Sequence, residues 1–473
     1  MKKFFITTPI YYVNAKPHIG HAYTTIAADV LARFYREKIG KENVFFLTGT
    51  DEHGLNIQKK AGDAKKFPQT FVDEISQEFK NYWEKLDIKY DNFIRTTDEK
   101  HKAAVQKALQ ALYGKGAIYK GEYEGCYCVA CEQFKNEKDL VEGRCPDHDT
   151  VVETIKEESY LLRMSGDVQK NLIEKIKKNE FKIAPEKYKK EVLSFLESQE
   201  LHDVSISRKN VSWGVTLPFD PEHTTYVWAD AFLNYLTGLG WEGDSNKLPF
   251  QWPADVQLIG KDILRVHATI WPIMLMHLGI PLPKMLYVHG HILSRGRKMS
   301  KTLGNAISID EMLEKFGVDG TRYLLMSAGT FGEDVDMTME RMVEKYNADL
   351  ANGLGNLVSR IIKLSAGLDI EIMKSEYDPI QWNKGFFEGL RLDVAINRIW
   401  YHFIGKNNKY IEDNKPWELA KINEDKFKEV MQKLISDLYL ISDLLVPFMP
   451  DTSEKIKKAL EEKRAEILFP RIR

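Results

Sequence analysis

The sequence predicts an α/β protein: a parallel sheet wrapped by helices, interrupted by an insertion and followed by an all-helical region. Three observations carry this. Strand-like and helix-like segments alternate over the first 50 or so residues. The stretch from about 116 to 222 breaks that rhythm and holds all four cysteines. From about 346 onward, apolar residues recur almost only at helical spacing.

The first strand is Phe4 to Thr8, rich in aromatic and β-branched residues. Pro9 and the stretch from Asn14 to Pro17 form the loop after it. A helix follows from about His18 to Lys38, with Ile26, Val30 and Phe34 at four-residue spacing and Gly40 at its end. Val44 to Leu47 is the second strand, leading into Gly49-Thr50-Asp51-Glu52-His53-Gly54. This is a βαβ unit, and it places ligands at the carboxyl ends of parallel strands. Sheet-like runs resume at Thr225–Trp228, Val256–Gly260 and Met285–Val288. Leu350, Leu354, Leu357, Ile361 and Leu364 then open a helical bundle.

With 473 residues, 43% hydrophobic and 29% charged, the chain can bury real cores. The net charge of -2 supplies no overall field for nucleic acid, so any RNA partner must be held by local groups. No apolar run reaches the roughly 18 residues of a membrane span. The Met1-to-Pro9 start is too short for a signal-peptide core, and four cysteines make no disulfide scaffold. A reducing cytoplasm is the expected location.

His18 and His21 stand where a loop enters a helix, and backbone N–H groups and the helix dipole favour anions there. Gly20, with no Cβ, allows close approach of a nucleotide. A pair of solvated surface histidines would show the same four residues. The second element changes the balance. Arg295-Gly296-Arg297-Lys298-Met299-Ser300-Lys301 is a basic, glycine-flanked loop between a strand and a helix, suited to closing over a polyphosphate. Together they read as the two jaws of an ATP site.

His18-Ile19-Gly20-His21 and Lys298-Met299-Ser300-Lys301-Thr302 resemble the two signatures of class I aminoacyl-tRNA synthetases. Pro9-Ile10-Tyr11-Tyr12-Val13-Asn14, Gly49–Gly54, Tyr226-Val227-Trp228-Ala229-Asp230-Ala231, and Gly260 through His267 to Trp271-Pro272 look like the bacterial methionyl-tRNA synthetase family. The resemblance runs from residue 2 to about 420. It departs at Thr302, where the family often has serine, and at Phe232, where some relatives have proline.

The resemblance implies a Rossmann-type catalytic domain in two halves (1–115 and 223–285) with a zinc-containing connective insertion at 116–222. A KMSKS-containing stem-contact region (286–345) and an α-helical anticodon-binding domain (346–473) would follow. It implies that L-methionine attacks ATP, giving methionyl-adenylate and pyrophosphate, and that the methionyl group passes to the terminal adenosine of initiator and elongator tRNA(Met). His18, Gly20, His21, Lys298 and Lys301 would serve ATP, with Mg²⁺ accompanying it. Ile10, Tyr12, Trp228, Ala231, Tyr235, Ile263 and His267 match the side-chain pocket, and Asp51 matches the carboxylate that receives the ammonium. An aromatic wall suits a thioether, with Tyr12 and His267 offering polar contacts near the sulfur.

Cys128-Val129-Ala130-Cys131 and Cys145-Pro146-Asp147-His148 are two knuckles that can surround Zn²⁺ tetrahedrally; a redox dithiol and chance spacing are the rivals. Cys126 could replace Cys128. The resemblance favours Cys128, Cys131, Cys145 and His148 as a structural site. In the helical region, Asn352, Asn356 and Arg360 share one face, and Pro416-Trp417 begins a later helix. Asn356, Arg360, Pro416 and Trp417 match positions that read the anticodon, by stacking and by bonds to base edges. Residues 346–473 hold 20 Lys+Arg and 20 Asp+Glu, so a few placed groups must supply the affinity. A monomer is expected at this length.

Overall fold

The computed structural model describes residues 2–128, 133–135, 140–145, 150–299, 307–368, 377–464 and 466–473. They divide into two compact units. The first comprises 1–17, 45–82 and 89–288; the second comprises 18–44, 83–88 and 289–473.

The first unit is built on strands β1 (Phe4–Tyr12), β2 (Val44–Asp51), β3 (Asn92–Arg95), β4 (Lys182–Ala184), β5 (Val256–Gly260) and β6 (Met285–His289), in the order β3-β2-β1-β5-β6-β4. The pairs β1–β5, β2–β3 and β4–β6 are parallel, as the alternating pattern predicts. β1 is longer than expected and carries Pro9 inside it. Pro9 has no N–H to give a ladder, and it lies past Ile6 and Thr7, the β1 residues that pair with β5. β2 likewise runs on to Asp51. At Gly49 a Cβ would lie 2.0 Å from the Ile94 carbonyl oxygen, so the contact with β3 admits only glycine. Chain order reverses between β1 and β5, which makes their carboxyl ends the crevice where an α/β sheet binds ligands.

One expectation is corrected. Thr225–Trp228 is not one strand: a strand Asp220–Thr225 ends there, and a short helix, Val227–Ala231, takes up Trp228. The 116–222 segment contains an antiparallel sheet around Ile118–Cys128 and Glu153–Leu162, yet its residues 182–184 are the edge strand β4 of the main sheet.

The second unit contains α1 (Ile19–Ile39) as well as the C-terminal helices, although α1 lies early in sequence. Burial explains it. Arg322 and Asp29 are both fully buried, with Nη2 2.7 Å from Oδ2, and Arg322 also donates to Leu86, Pro447 and Phe448 carbonyls. Phe34 stacks on Phe387 at 4.0 Å. The expected bundle is helical, but Tyr346–Gly355 and Trp400–Gly405 are wound as π-helix. There, the Asp349 carbonyl accepts from Trp400 Nε1 (3.1 Å) and the Gly353 carbonyl from Asn408 Nδ2 (3.3 Å). No helix among the described residues is long and apolar enough to cross a membrane.

Candidate active site

The residues expected to form the amino-acid pocket all lie in the first unit. Ile10 and Tyr12 come from the end of β1, and Asp51 from the end of β2, where its carbonyl accepts from Val13 N–H at 3.1 Å. Trp228 and Ala231 lie on the short helix. Ile263 and His267 follow the end of β5. Tyr12 and Trp228 are half-buried and pack on the same apolar pair, Tyr226 and Val227. Ile10, Trp228 and Ile263 lean on the core that contains Tyr235.

At its floor, Tyr235 Oη lies 2.8 Å from His267 Nε2, and His267 Nδ1 lies 2.9 Å from the Ile263 carbonyl oxygen. A carbonyl only accepts, so Nδ1 carries the ring proton and Nε2 receives the Tyr235 hydroxyl. Burial agrees: desolvation pushes His267 down to about 4 and raises the Tyr235 phenol well above its usual range. His267 therefore holds no ring N–H for a thioether sulfur. Trp228 Nε1 is buried with no hydrogen-bond partner among the described residues.

Phe232 and Trp271 are named in the sequence reading but were given no place among the site residues. Phe232 is edge-on to His267 at 5.0 Å and stacked on Trp271 at 5.8 Å. It completes the aromatic wall where a proline was noted in some relatives. The Trp271-Pro272 pair was its sequence signal.

In the second unit, His18 caps α1. Its Nδ1 accepts from Gly20 N–H at 3.1 Å, and His21 Nδ1 accepts from His18 N–H at 3.3 Å. The two rings stack at 3.7 Å. This is a capping box made of histidines rather than the usual Ser and Glu. With each Nδ1 accepting, the proton of each neutral ring is on Nε2. A Cβ on Gly20 would lie 2.9 Å from His18 Cε1, so this glycine makes room for the capping ring itself. His289 Nε2 lies 2.7 Å from Thr24 Oγ1, whose second neighbour is the Gly20 carbonyl at 3.1 Å.

Residues 4–151 and 148–362 match the family model described as tRNA synthetases class I (M). The methionine–tRNA ligase of Caldanaerobacter subterraneus is 40% identical over 509 positions, covering 100% of this chain and 79% of the relative. That of Clostridium acetobutylicum is 41% identical over 509 positions, covering 100% and 78%. A Mycobacterium tuberculosis methionyl-tRNA synthetase in complex with methionyl-adenylate superposes with a TM-score of 0.90 at 37% identity, covering 97% of this chain and 93% of that one. The chain belongs to the methionine–tRNA ligase family. Its activity is that of a class I aminoacyl-tRNA synthetase charging tRNA with methionine.

The second jaw expected in this family is described only in part. Lys298 ends a short strand, Arg297–Lys298, that pairs with Ile292–Ser294. The Lys298 side chain, and all of Lys301 and Thr302, lie outside the described residues. So do Cys131 and His148. Cys128 and Cys145 are buried and meet at Thr150, whose Oγ1 lies 3.4 Å from Cys128 Sγ and whose carbonyl accepts from Cys145 N–H at 2.9 Å. Cys126 is one full β-repeat from Cys128, on the same face of its strand.

Within the helical region the structure brings Arg360 and Trp417 together. The guanidinium lies 5.6 Å from the indole centroid and bridges Glu412 at 2.7 Å. Pro416 is the buried first residue of the Pro416–Ile422 helix, while Trp417 and Asn356 are exposed. Arg360 is thus pre-oriented beside an exposed aromatic face.

Proposed function

We propose that this ligase activates L-methionine with ATP at the site formed by Ile10, Tyr12, Asp51, Trp228, Ala231, Tyr235, Ile263 and His267. The methionyl-adenylate then yields its acyl group to the 3′-terminal adenosine of initiator and elongator tRNA(Met). The observation that carries this reading is the neutral Tyr235–His267 pair set among aromatic rings. Such a floor offers a thioether polarisable contacts and no charge. Asp51, at the polar end, would take the ammonium.

His18 and His21 would donate from Nε2 to the ATP phosphates as charge develops, and Lys298 and Lys301 would hold the outer phosphates. Mg²⁺ would enter with ATP and neutralise part of that charge. Asn356, Arg360, Pro416 and Trp417 would read the anticodon, with Trp417 as the stacking face. The domain bounds 1–115, 116–222, 223–285, 286–345 and 346–473 are proposed as functional segments, and the enzyme as a cytoplasmic monomer.

Cys128, Cys131, Cys145 and His148 fit a structural Zn²⁺: three thiolates and an imidazole form a closed set with no open position for chemistry. The burial of Cys128 and Cys145 beside one residue supports it. The metal would crosslink the insertion.

ATP–pyrophosphate exchange run with each amino acid tests the assignment. Exchange with methionine alone is expected; exchange driven by leucine or isoleucine but not methionine overturns it. Metal analysis of the purified protein should return about one zinc per chain, and Cys145→Ser should abolish it.

A further inference from the structure

We infer that the buried His53–Asp230 pair is a positioning device that fixes the side-chain wall of the methionine site against its ammonium-binding carboxylate. The inference rests on the site assignment proposed above.

His53 and Asp230 are 3% and 0% exposed, and His53 Nδ1 donates to Asp230 Oδ2 at 2.6 Å. Their places in the chain give the bond its meaning. His53 stands two residues after Asp51, in the turn that leaves β2. Asp230 stands between Trp228 and Ala231 on the five-residue helix Val227–Ala231. So one hydrogen bond ties the element carrying the carboxylate to the element carrying the wall.

The two sides are anchored unequally. On the His53 side, Glu52 is fully buried and accepts from Arg95 Nε at 2.7 Å and Nη2 at 2.9 Å, from Thr50 at 2.6 Å, and from Thr97. Trp213 donates to the Glu52 carbonyl at 2.6 Å, accepts from Gly54 N–H at 3.0 Å, and sets its ring edge-on to His53 at 5.6 Å. That turn is held from every direction. The helix is not. A single turn has little stability of its own, and its N-cap, Tyr226, gives it no side-chain cap. Asp230 Oδ1 has no hydrogen-bond partner among the described residues, so His53 is the anchor of that carboxylate. The third polar group nearby, His101, faces both members. Burial holds it at about 4, so it stays neutral and brings no competing charge at neutral pH.

Severing the bond should therefore release the Val227–Ala231 helix and leave Asp51 in place. The effect falls on methionine recognition and spares ATP. With active enzyme counted by adenylate burst, Asp230→Asn and His53→Ala should each raise KM for methionine about tenfold in pyrophosphate exchange, and move KM for ATP less than about twofold. His53→Asn keeps an N–H near the Nδ1 position and should stay within about threefold of the parent. It also decides the matter if Asp230→Asn does not fold.

Unchanged KM for methionine in His53→Ala, or equal rises for methionine and ATP, overturns the inference. So does His53→Asn behaving like His53→Ala. Trp228→Ala is the control on the site itself. If it leaves KM for methionine unmoved, the site assignment fails; if it raises KM while His53→Ala does not, only the positioning role fails.

Discussion

Removing one oxygen, in Tyr235→Phe, tests the protonation argument at the floor of the site. The Tyr235 hydroxyl donates to His267 Nε2, and the other ring nitrogen is committed to the Ile263 carbonyl. The phenylalanine variant keeps the ring and its packing but leaves a buried acceptor without a donor. Flipping the tautomer offers no escape, because an unprotonated Nδ1 would face the Ile263 oxygen. The cost is then that of an unsatisfied buried polar group, about 1–3 kcal/mol. Urea unfolding at pH 7.5 should show it as a lower midpoint with an unchanged slope. The gap should narrow as pH falls toward 4, where His267 gains a proton in the parent and stops accepting. A variant as stable as the parent at pH 7.5 would refute the assigned donor and acceptor, as would a gap that widens in acid.

Acid should weaken the protein through His101 and His267, both held at about 4 in the folded chain by desolvation. The unfolded chain takes up these protons first, so the stability is complete above about 6.5 and lost as pH falls toward 4. Each imidazole contributes about 2 kcal/mol between pH 7 and pH 5. His101→Gln should therefore show a shallower loss than the parent over that interval, by about 2 kcal/mol; equal slopes in urea melts count against it. Arg322→Met leaves Asp29 buried beside one remaining cation, Arg33, and should destabilise by about 3–5 kcal/mol in the same assay. Trp417→Ala should lower kcat/KM for tRNA roughly 5- to 150-fold, the equivalent of one lost stacked base, and leave tRNA-free pyrophosphate exchange alone. His18→Asn separates capping from phosphate contact: asparagine caps well, so the melt should hardly move while adenylate formation falls roughly 10²- to 10³-fold.

The sheet was legible because its strands read as apolar, β-branched runs bounded by turn residues. The failures cluster where that signal is thin. β4 is three residues inside a segment of different composition, and three residues carry no period. Trp228 was read into a strand because Thr225-Tyr226-Val227 has every β-favouring residue type. Tertiary anchoring of a one-turn helix overrides that local preference. The placement of α1 with the C-terminal helices depends on Asp29 and Arg322, which are 293 residues apart, and no local pattern reports such a pairing.

The site divides along the same line. Residue types in Ile10, Tyr12, Asp51, Trp228 and His267 follow from the resemblance, because recognition chemistry fixes them directly. The direction of the protons does not follow. Only the Ile263 carbonyl decides that His267 accepts rather than donates, and only the His18–Gly20 bond places the His18 proton on Nε2. Both are backbone partners, invisible to any reading of side-chain types. The structure thus changes the chemistry assigned to residues already named: His267 becomes the fixed acceptor behind Tyr235. His18 and His21 become a cap whose hydrogen bonds to Nδ1 leave each neutral ring's proton on Nε2.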